Sequence, residues 1–84
     1  MTACIYALRD PLTHQMRYVG KTTNLKRRLH DHIHLRVTDH SYRAKWIRRL
    51  IAAGTKPKMM LLEILSDDID WQLREQRWIA TLRA

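Results

Sequence analysis

The sequence predicts a single small α/β (α+β) domain whose elements follow the order β-β-α-α-β-α. Two short apolar runs on either side of Asp10-Pro11-Leu12-Thr13-His14 indicate a β-hairpin, because Pro and Asp are typical of tight turns. Three later stretches repeat apolar residues at helical spacing, and a run that is apolar on both alternating faces lies between the last two. A chain of 84 residues has room for one core, so we expect one domain over residues 1–84.

The predicted hairpin places two tyrosines on one face of a sheet. Its strands cover residues 2–9 and 15–20, and a turn symmetric about Leu12 sets Tyr6 directly opposite Tyr18. Directly opposed residues point to the same side of a sheet, with Cβ atoms about 5 Å apart. Gly20 follows at a position where a strand glycine often marks a close approach of the backbone to another group.

The first helix is predicted to begin at the N-cap residue types after the hairpin and to end at about residue 35. Those cap residues are Thr22, Thr23 and Asn24. The buried stripe of this helix consists of Leu25, Leu29 and Ile33. Arg28 and His32 lie along one border of the stripe, whereas Lys26 and Arg27 point towards solvent. Of the adjacent arginines, therefore, only Arg28 is expected to face the sheet.

A second helix follows a polar break at residues 37–40. It is predicted over residues 41–53, with Gly54 as its C-terminal stop. Its apolar seam consists of Trp46, Ile47, Leu50 and Ile51. The basic residues Arg43 and Lys45 are expected outside that seam.

The last helix carries a carboxylate inside its apolar stripe. Residues 59–65 are predicted as a strand buried on both faces, and acidic residues at 67–68 open the helix that follows. Its apolar side consists of Trp71, Trp78, Ile79 and Leu82, and Glu75 falls among them. An unpaired buried charge is costly, so Glu75 needs an arginine, a divalent metal or a raised pKa. The pattern alone favours an arginine ion pair; Glu63, in the predicted strand, is also expected to pair with a basic neighbour.

The charge of the chain indicates a polyanionic partner. The formal net charge is +8 and the sequence pI is near 10.4, which favours nucleic acid, with an anionic membrane surface as the second candidate. No run approaches the roughly 18 apolar residues of a membrane span, and the N-terminus lacks the pattern of a signal peptide. We therefore expect a non-secreted, cytoplasmic protein; the single cysteine, Cys4, agrees with a reducing compartment.

Several of these residues occur in an order that resembles the GIY-YIG endonuclease superfamily. The ordered set is Cys4-Ile5-Tyr6, Tyr18-Val19-Gly20-Lys21, Asn24-Leu25, Arg28-Leu29, His32, Glu75 and Trp78-Ile79. The resemblance covers nearly the whole chain and implies a three-stranded antiparallel sheet flanked by helices. Cys4 stands where the first motif has its opening glycine, a change that removes backbone freedom but no catalytic group.

The resemblance implies a metal-dependent endonuclease that acts on DNA. The catalytic residues it implies are Tyr6, Tyr18, Arg28 and Glu75, with Lys21 and His32 at positions that are often basic or functional in relatives. Glu75 is the expected ligand of one Mg²⁺ or Mn²⁺ ion. Arg28 is expected to neutralise the scissile phosphate and Tyr6 to accept a proton from water, which requires neighbours that lower its phenol pKa. Tyr18 is expected to orient the phosphate or the water.

The basic residues expected to contact DNA are Lys21, Lys26, Arg27, Arg43 and Lys45. The competing interpretation is a non-catalytic, basic nucleic-acid-binding domain on the same scaffold. Because 84 residues leave no room for an accessory DNA-reading domain, target selectivity is expected from a protein partner, from a missing domain or from DNA structure. DNA repair, a mobile element and restriction all remain open as the biological role.

Overall fold

The computed structural model describes residues 2–34 and 38–82 and has the predicted order of elements. They are β1 (Cys4–Arg9), β2 (Met16–Thr22), α1 (Leu25–Ile33), α2 (Tyr42–Ala52), β3 (Lys58–Ile64) and α3 (Trp71–Leu82). The three strands form an antiparallel sheet in the order β2-β1-β3. The expected helix end near residue 35 and the start of the polar break at residue 37 lie outside the described residues. No helix in the described ranges is long and apolar enough to cross a membrane.

The hairpin is asymmetric, so its predicted register is wrong by two residues. Tyr6 lies opposite Gly20, and Tyr18 lies opposite Leu8. The Asp10 carboxylate accepts hydrogen bonds from the backbone N–H groups of Leu12 at 2.8 Å and Thr13 at 3.1 Å. The pairing of the two strands is irregular between Leu8 and Arg9. This turn chemistry shifts the strands. Because the shift is an even number of residues, both tyrosines still point to the same face.

The central strand β1 separates two apolar clusters on opposite faces of the sheet. Tyr6 and Leu8 pack with α2 residues on one face, whereas Ile5 and Ala7 lie on the α3 face. All four side chains are fully buried. Burial of a large apolar side chain contributes about 1.5–3 kcal/mol, so the side chains of β1 stabilise the packing on both faces of the sheet.

The third strand is an edge strand, and the prediction that it is buried on both faces is wrong. Leu61 is 51% exposed and Ile64 is 64% exposed. An apolar run on both alternating faces is typical of a central strand, but here β1 occupies that place. The predicted partner of Glu63 is confirmed: Arg74 of α3 forms an ion pair with it, and the indole of Trp78 donates to it at 3.0 Å.

A buried hydrogen bond ties α2 to the hairpin turn. The Trp46 indole N–H donates to the Asp10 carboxylate at 2.9 Å. This hydrogen bond is the main reason that the pKa of Asp10 lies below its usual value. The Ser41 hydroxyl caps the start of α2 by accepting the N–H of Ala44. Together these contacts fix α2 above the face of the sheet that carries the two tyrosines.

Candidate active site

Gly20 leaves the space in which two phenol rings meet. The ring centroids of Tyr6 and Tyr18 are 6.1 Å apart. A Cβ atom on Gly20 would lie 2.6 Å from the Tyr6 hydroxyl oxygen and 2.9 Å from the Tyr18 ring. Contacts that short do not occur between packed atoms, so this arrangement of the two rings requires glycine at position 20.

Helix α1 brings an arginine and a histidine to the Tyr6 hydroxyl. Arg28 Nε donates to that oxygen at 3.2 Å, and His32 Nε2 lies 2.7 Å from it. The two residues are four apart in sequence and therefore lie on one side of the helix. The Asn24 side chain caps the helix by accepting the N–H of Arg27, which fixes where α1 begins. The structure thus brings together Tyr6, Tyr18, Arg28 and His32.

Burial raises the pKa of Tyr6 to about 12, although the hydrogen bond from Arg28 acts in the opposite direction. We expected cationic neighbours to lower this pKa; Arg28 does so, but removal of the phenol from water outweighs it. The Tyr6 side chain is fully buried, whereas Tyr18 is partly exposed. Tyr6 is therefore a neutral phenol at neutral pH.

His32 is the one buried histidine of the site, with 2% of its surface exposed. Burial, followed by the charges of Arg28 and Arg43, lowers the pKa of its imidazole to about 4. A neutral imidazole with its proton on Nδ1 has a free lone pair on Nε2. Because the Tyr6 oxygen accepts from Arg28, its own proton is free to point at His32 Nε2. This arrangement allows a proton to pass from the phenol to the imidazole.

A comparison with protein families identifies the family of the chain. The model of the GIY-YIG catalytic domain matches residues 2–84. The chain belongs to the GIY-YIG family. Members of this family are endonucleases that act on DNA and generally use a divalent metal. Comparisons with curated proteins and with solved structures found no match.

Glu75, the metal ligand that the sequence resemblance implies, lies on the side of α3 that meets β2. Trp71, one turn earlier on the same side, has its ring 4.4 Å from Lys21 Nζ of β2. Glu75 is half-buried, and within residues 2–34 and 38–82 it makes no hydrogen bond or ion pair. The arginine ion pair favoured by the sequence pattern is not formed in that part of the chain, since the neighbouring Arg74 binds Glu63 instead.

Lys21 lies on the opposite face of the sheet from the two phenols. It is paired with Ile5 in the hairpin, and its ammonium group covers the Trp71 ring. Lys21 and Trp71 line a cavity of about 240 Å³ between the end of β2 and the start of α3. The described contacts therefore group Lys21 with the α3 side of the site and not with Tyr6.

An open cleft adjoins Arg28 on the α1 side. Its volume is about 350 Å³, and its lining residues are Thr22, Thr23, Asn24, Arg27, Arg28 and Asp31. Arg27, one of these residues, is exposed, as are Lys26 on α1 and Lys45 on α2. The cleft thus presents two guanidinium groups, of Arg27 and Arg28, and one carboxylate, of Asp31, and Arg28 connects it to the Tyr6 hydroxyl.

Glu75 fits a metal site that has a single protein carboxylate. In the described ranges, no group of three or more His, Cys, Asp or Glu side chains is placed to hold a metal ion. A half-buried carboxylate without a described protein partner is a suitable ligand for Mg²⁺ or Mn²⁺, which prefer oxygen and keep several waters.

Arg43 is a member of the site whose position the sequence analysis missed. It was expected outside the α2 seam, yet its guanidinium carbon lies 5.2 Å from the Tyr18 ring centroid. The signal was present in the spacing, because Arg43 precedes the buried Ile47 by four residues and Leu50 by seven. Ile51, expected in the seam, is instead 43% exposed.

Proposed function

We propose that this GIY-YIG domain is an endonuclease that hydrolyses DNA phosphodiester bonds with one divalent metal ion. The observation that carries the proposal is the Tyr6 hydroxyl, which is held between Arg28 Nε at 3.2 Å and His32 Nε2 at 2.7 Å. A buried phenol that has a cationic donor on one side and a neutral proton acceptor on the other is suited to general base catalysis.

Arg28 neutralises the scissile phosphate in this proposal. Its guanidinium is partly exposed and borders the open cleft, so a phosphate can reach it. A planar guanidinium binds two phosphate oxygens at once, which an ammonium group does not reproduce. When Arg28 turns towards the phosphate, its hydrogen bond to Tyr6 breaks and the phenol oxygen becomes available as an acceptor.

The attacking water takes the place of Arg28 as the donor to Tyr6. As the water oxygen bonds to phosphorus, the water proton passes to the Tyr6 oxygen and the phenol proton passes to His32 Nε2. The phosphorus bond to the departing oxygen breaks, and that oxygen takes up a proton from solvent. Because the two proton transfers are coupled, Tyr6 never carries a full negative charge. The proton ends on His32, whose imidazole is a weak base with a pKa of about 4, so protonation of this imidazole is the energetic cost of the step.

Glu75 would hold the divalent ion, either Mg²⁺ or Mn²⁺. Such an ion would neutralise negative charge that develops in the reaction, a contribution of several kcal/mol. Tyr18, at the partly exposed side of the phenol pair, orients the phosphate. Exposed Lys26, Arg27 and Lys45 hold the DNA backbone, which is consistent with the net charge of +8.

Supercoiled plasmid incubated with Mg²⁺, Mn²⁺ or EDTA tests the proposal. The protein is expected to nick the plasmid with either metal and not with EDTA. Glu75→Ala is expected to reduce nicking at least about 100-fold while leaving DNA binding, measured by fluorescence anisotropy, unchanged. Gln76→Ala, at the adjacent exposed position, is the matched control and keeps full activity.

Two outcomes contradict the proposal. Undiminished nicking by Glu75→Ala removes this carboxylate from the reaction. Tight DNA binding by the parent protein without nicking under any metal condition supports the non-catalytic nucleic-acid-binding domain instead.

A further inference from the structure

Arg43, on the first turn of α2, has its guanidinium held at two points. The guanidinium group lies over the Tyr18 ring, with 5.2 Å between the guanidinium carbon and the ring centroid. That distance is within the range of a cation–π interaction. Its Nη2 lies 3.4 Å from Asp39 Oδ2, and the Asp39 carboxylate is itself fixed because its Oδ1 accepts the Ser41 N–H at 3.0 Å.

The partial burial of Arg43 distinguishes it from Lys45 and Arg49 of the same helix. Its side chain is 28% exposed, whereas Lys45 and Arg49 are exposed on the outer side of the helix. The Nε atom of Arg43 is fully buried and has no hydrogen-bond partner among the described residues. Burial of an unpaired donor is unfavourable, a cost that an exposed conformation would avoid.

Tyr18 lies between two groups that restrict its ring. Arg43 lies over the ring, and His32 meets it at 5.2 Å between ring centroids in an edge-on arrangement. Tyr6 lies next to it, in the space that the missing side chain of Gly20 leaves. A partly exposed tyrosine on an edge strand would otherwise rotate freely between rotamers, at a cost in the alignment of its hydroxyl.

We propose that Arg43 is a positioning residue of the nuclease site, which orients the Tyr18 hydroxyl relative to Arg28 and is itself oriented by Asp39. The inference rests on the proposed function, since it assigns a role to Tyr18 in the same reaction. It differs from phosphate binding by Arg43, because a guanidinium already tied to a carboxylate offers less free charge to DNA.

Kinetics at saturating DNA separate positioning from binding. Single-turnover nicking of a plasmid in Mg²⁺ gives the rate, and fluorescence anisotropy with a duplex oligonucleotide in EDTA gives Kd. Arg43→Met is expected to lower the saturated rate roughly 10- to 100-fold, since small misplacements have effects of that size. Its Kd is expected to change no more than that of Lys45→Met, which removes an exposed charge from the same helix.

Two further variants and a control sharpen the result. Arg43→Lys keeps the charge but loses the planar fork, so its saturated rate is expected to stay low. Asp39→Asn keeps Arg43 but weakens its anchor, and an intermediate rate is expected. Arg49→Met removes an exposed arginine of the same helix and is expected to match the parent in both measurements. Because Asp39→Asn preserves the size of the side chain and Arg43→Lys is conservative, these two variants carry the test if Arg43→Met does not fold.

The inference is overturned if Arg43→Met increases only Kd and keeps a saturated rate within about threefold of the parent. It is also overturned if Arg43→Lys has the full saturated rate of the parent. Aromatic NMR spectra give a readout that does not need activity. The Tyr18 ring signals are expected to shift in Arg43→Met and Asp39→Asn but not in Arg49→Met. If the parent itself does not nick DNA, the proposed function fails, and unmoved Tyr18 signals then separately refute the positioning by Arg43.

Discussion

Replacing Gly20 by alanine is expected to separate the two phenols while leaving the fold intact. The new Cβ would lie 2.6 Å from the Tyr6 hydroxyl oxygen, whereas ordinary contact begins near 3.4 Å, so the two atoms have to separate by about 0.8 Å. The Tyr6 hydroxyl is the far end of a side chain and moves more easily than the backbone. It therefore moves relative to Arg28 and His32.

The size of the effect follows from the two hydrogen bonds of Tyr6. A displacement of about 0.8 Å is enough to lengthen the 2.7 Å contact with His32 to about 3.5 Å, beyond hydrogen-bond range. A misplacement of about 1 Å at a catalytic group costs roughly 100-fold in rate. Overpacking of a buried contact costs about 1–3 kcal/mol, so the free energy of unfolding also falls.

Gly54→Ala is the matched control for Gly20→Ala. A Cβ on Gly54 meets nothing within 4 Å, but its φ of 83° disfavours any other residue. We expect Gly54→Ala to lose about 1 kcal/mol of stability through the backbone alone, with nicking unchanged. Urea unfolding and single-turnover nicking are measured on both variants below their unfolding transitions.

Full nicking activity in Gly20→Ala would refute the proposal that the Tyr6 and Tyr18 hydroxyls act together at this site. Equal losses of activity in both variants would show that nicking follows stability and not the separation of the phenols.

Two further predictions concern stability. The pKa of His32 is lowered from 6.5 to about 4, so between these pH values the unfolded chain binds a proton that the folded protein does not. The free energy of unfolding is therefore unaffected by this group above pH 6.5 and falls by up to about 3 kcal/mol as the pH is lowered to about 4. Urea titrations across this range are expected to be flatter for His32→Gln, and an equal slope would contradict the assignment. Asp10→Ala leaves the buried Trp46 indole N–H without its acceptor and is expected to lower the free energy of unfolding by about 2 kcal/mol. Asp67→Ala, at an exposed position, is the control and is expected to change the free energy of unfolding by less than about 0.5 kcal/mol. Equal urea unfolding midpoints for the two variants would be inconsistent with a stabilising hydrogen bond between Trp46 and Asp10.

The sequence predicted the element order because each element is signalled locally. N-cap residue types, apolar spacing and turn residues lie within a few positions of the feature they determine, and α1 begins directly after the expected cap at Asn24. The inward position of Arg28 and His32 also followed from helical spacing. These features depend on the geometry of one helix and not on its packing partners.

The features that the sequence did not predict depend on contacts between distant segments. The hairpin register follows from the Asp10 carboxylate, which also accepts from Trp46 far along the chain. The edge position of β3 follows from β1 taking the centre of the sheet. Arg43 was expected outside the apolar seam of α2, yet it contacts Tyr18 and Asp39, partners that a single-helix pattern does not reveal.

Removal of the Tyr6 hydroxyl tests the central claim most directly. Single-turnover nicking of supercoiled plasmid in Mg²⁺ is compared for the parent, Tyr6→Phe and Tyr42→Phe, the last removing the hydroxyl of a tyrosine that is 92% exposed. General base catalysis is worth 10²–10⁴-fold, so Tyr6→Phe is expected to be slower by about that factor, with Tyr42→Phe equal to the parent. A Tyr6→Phe rate within about threefold of the parent would show that the phenol is not the group that takes the proton from the attacking water.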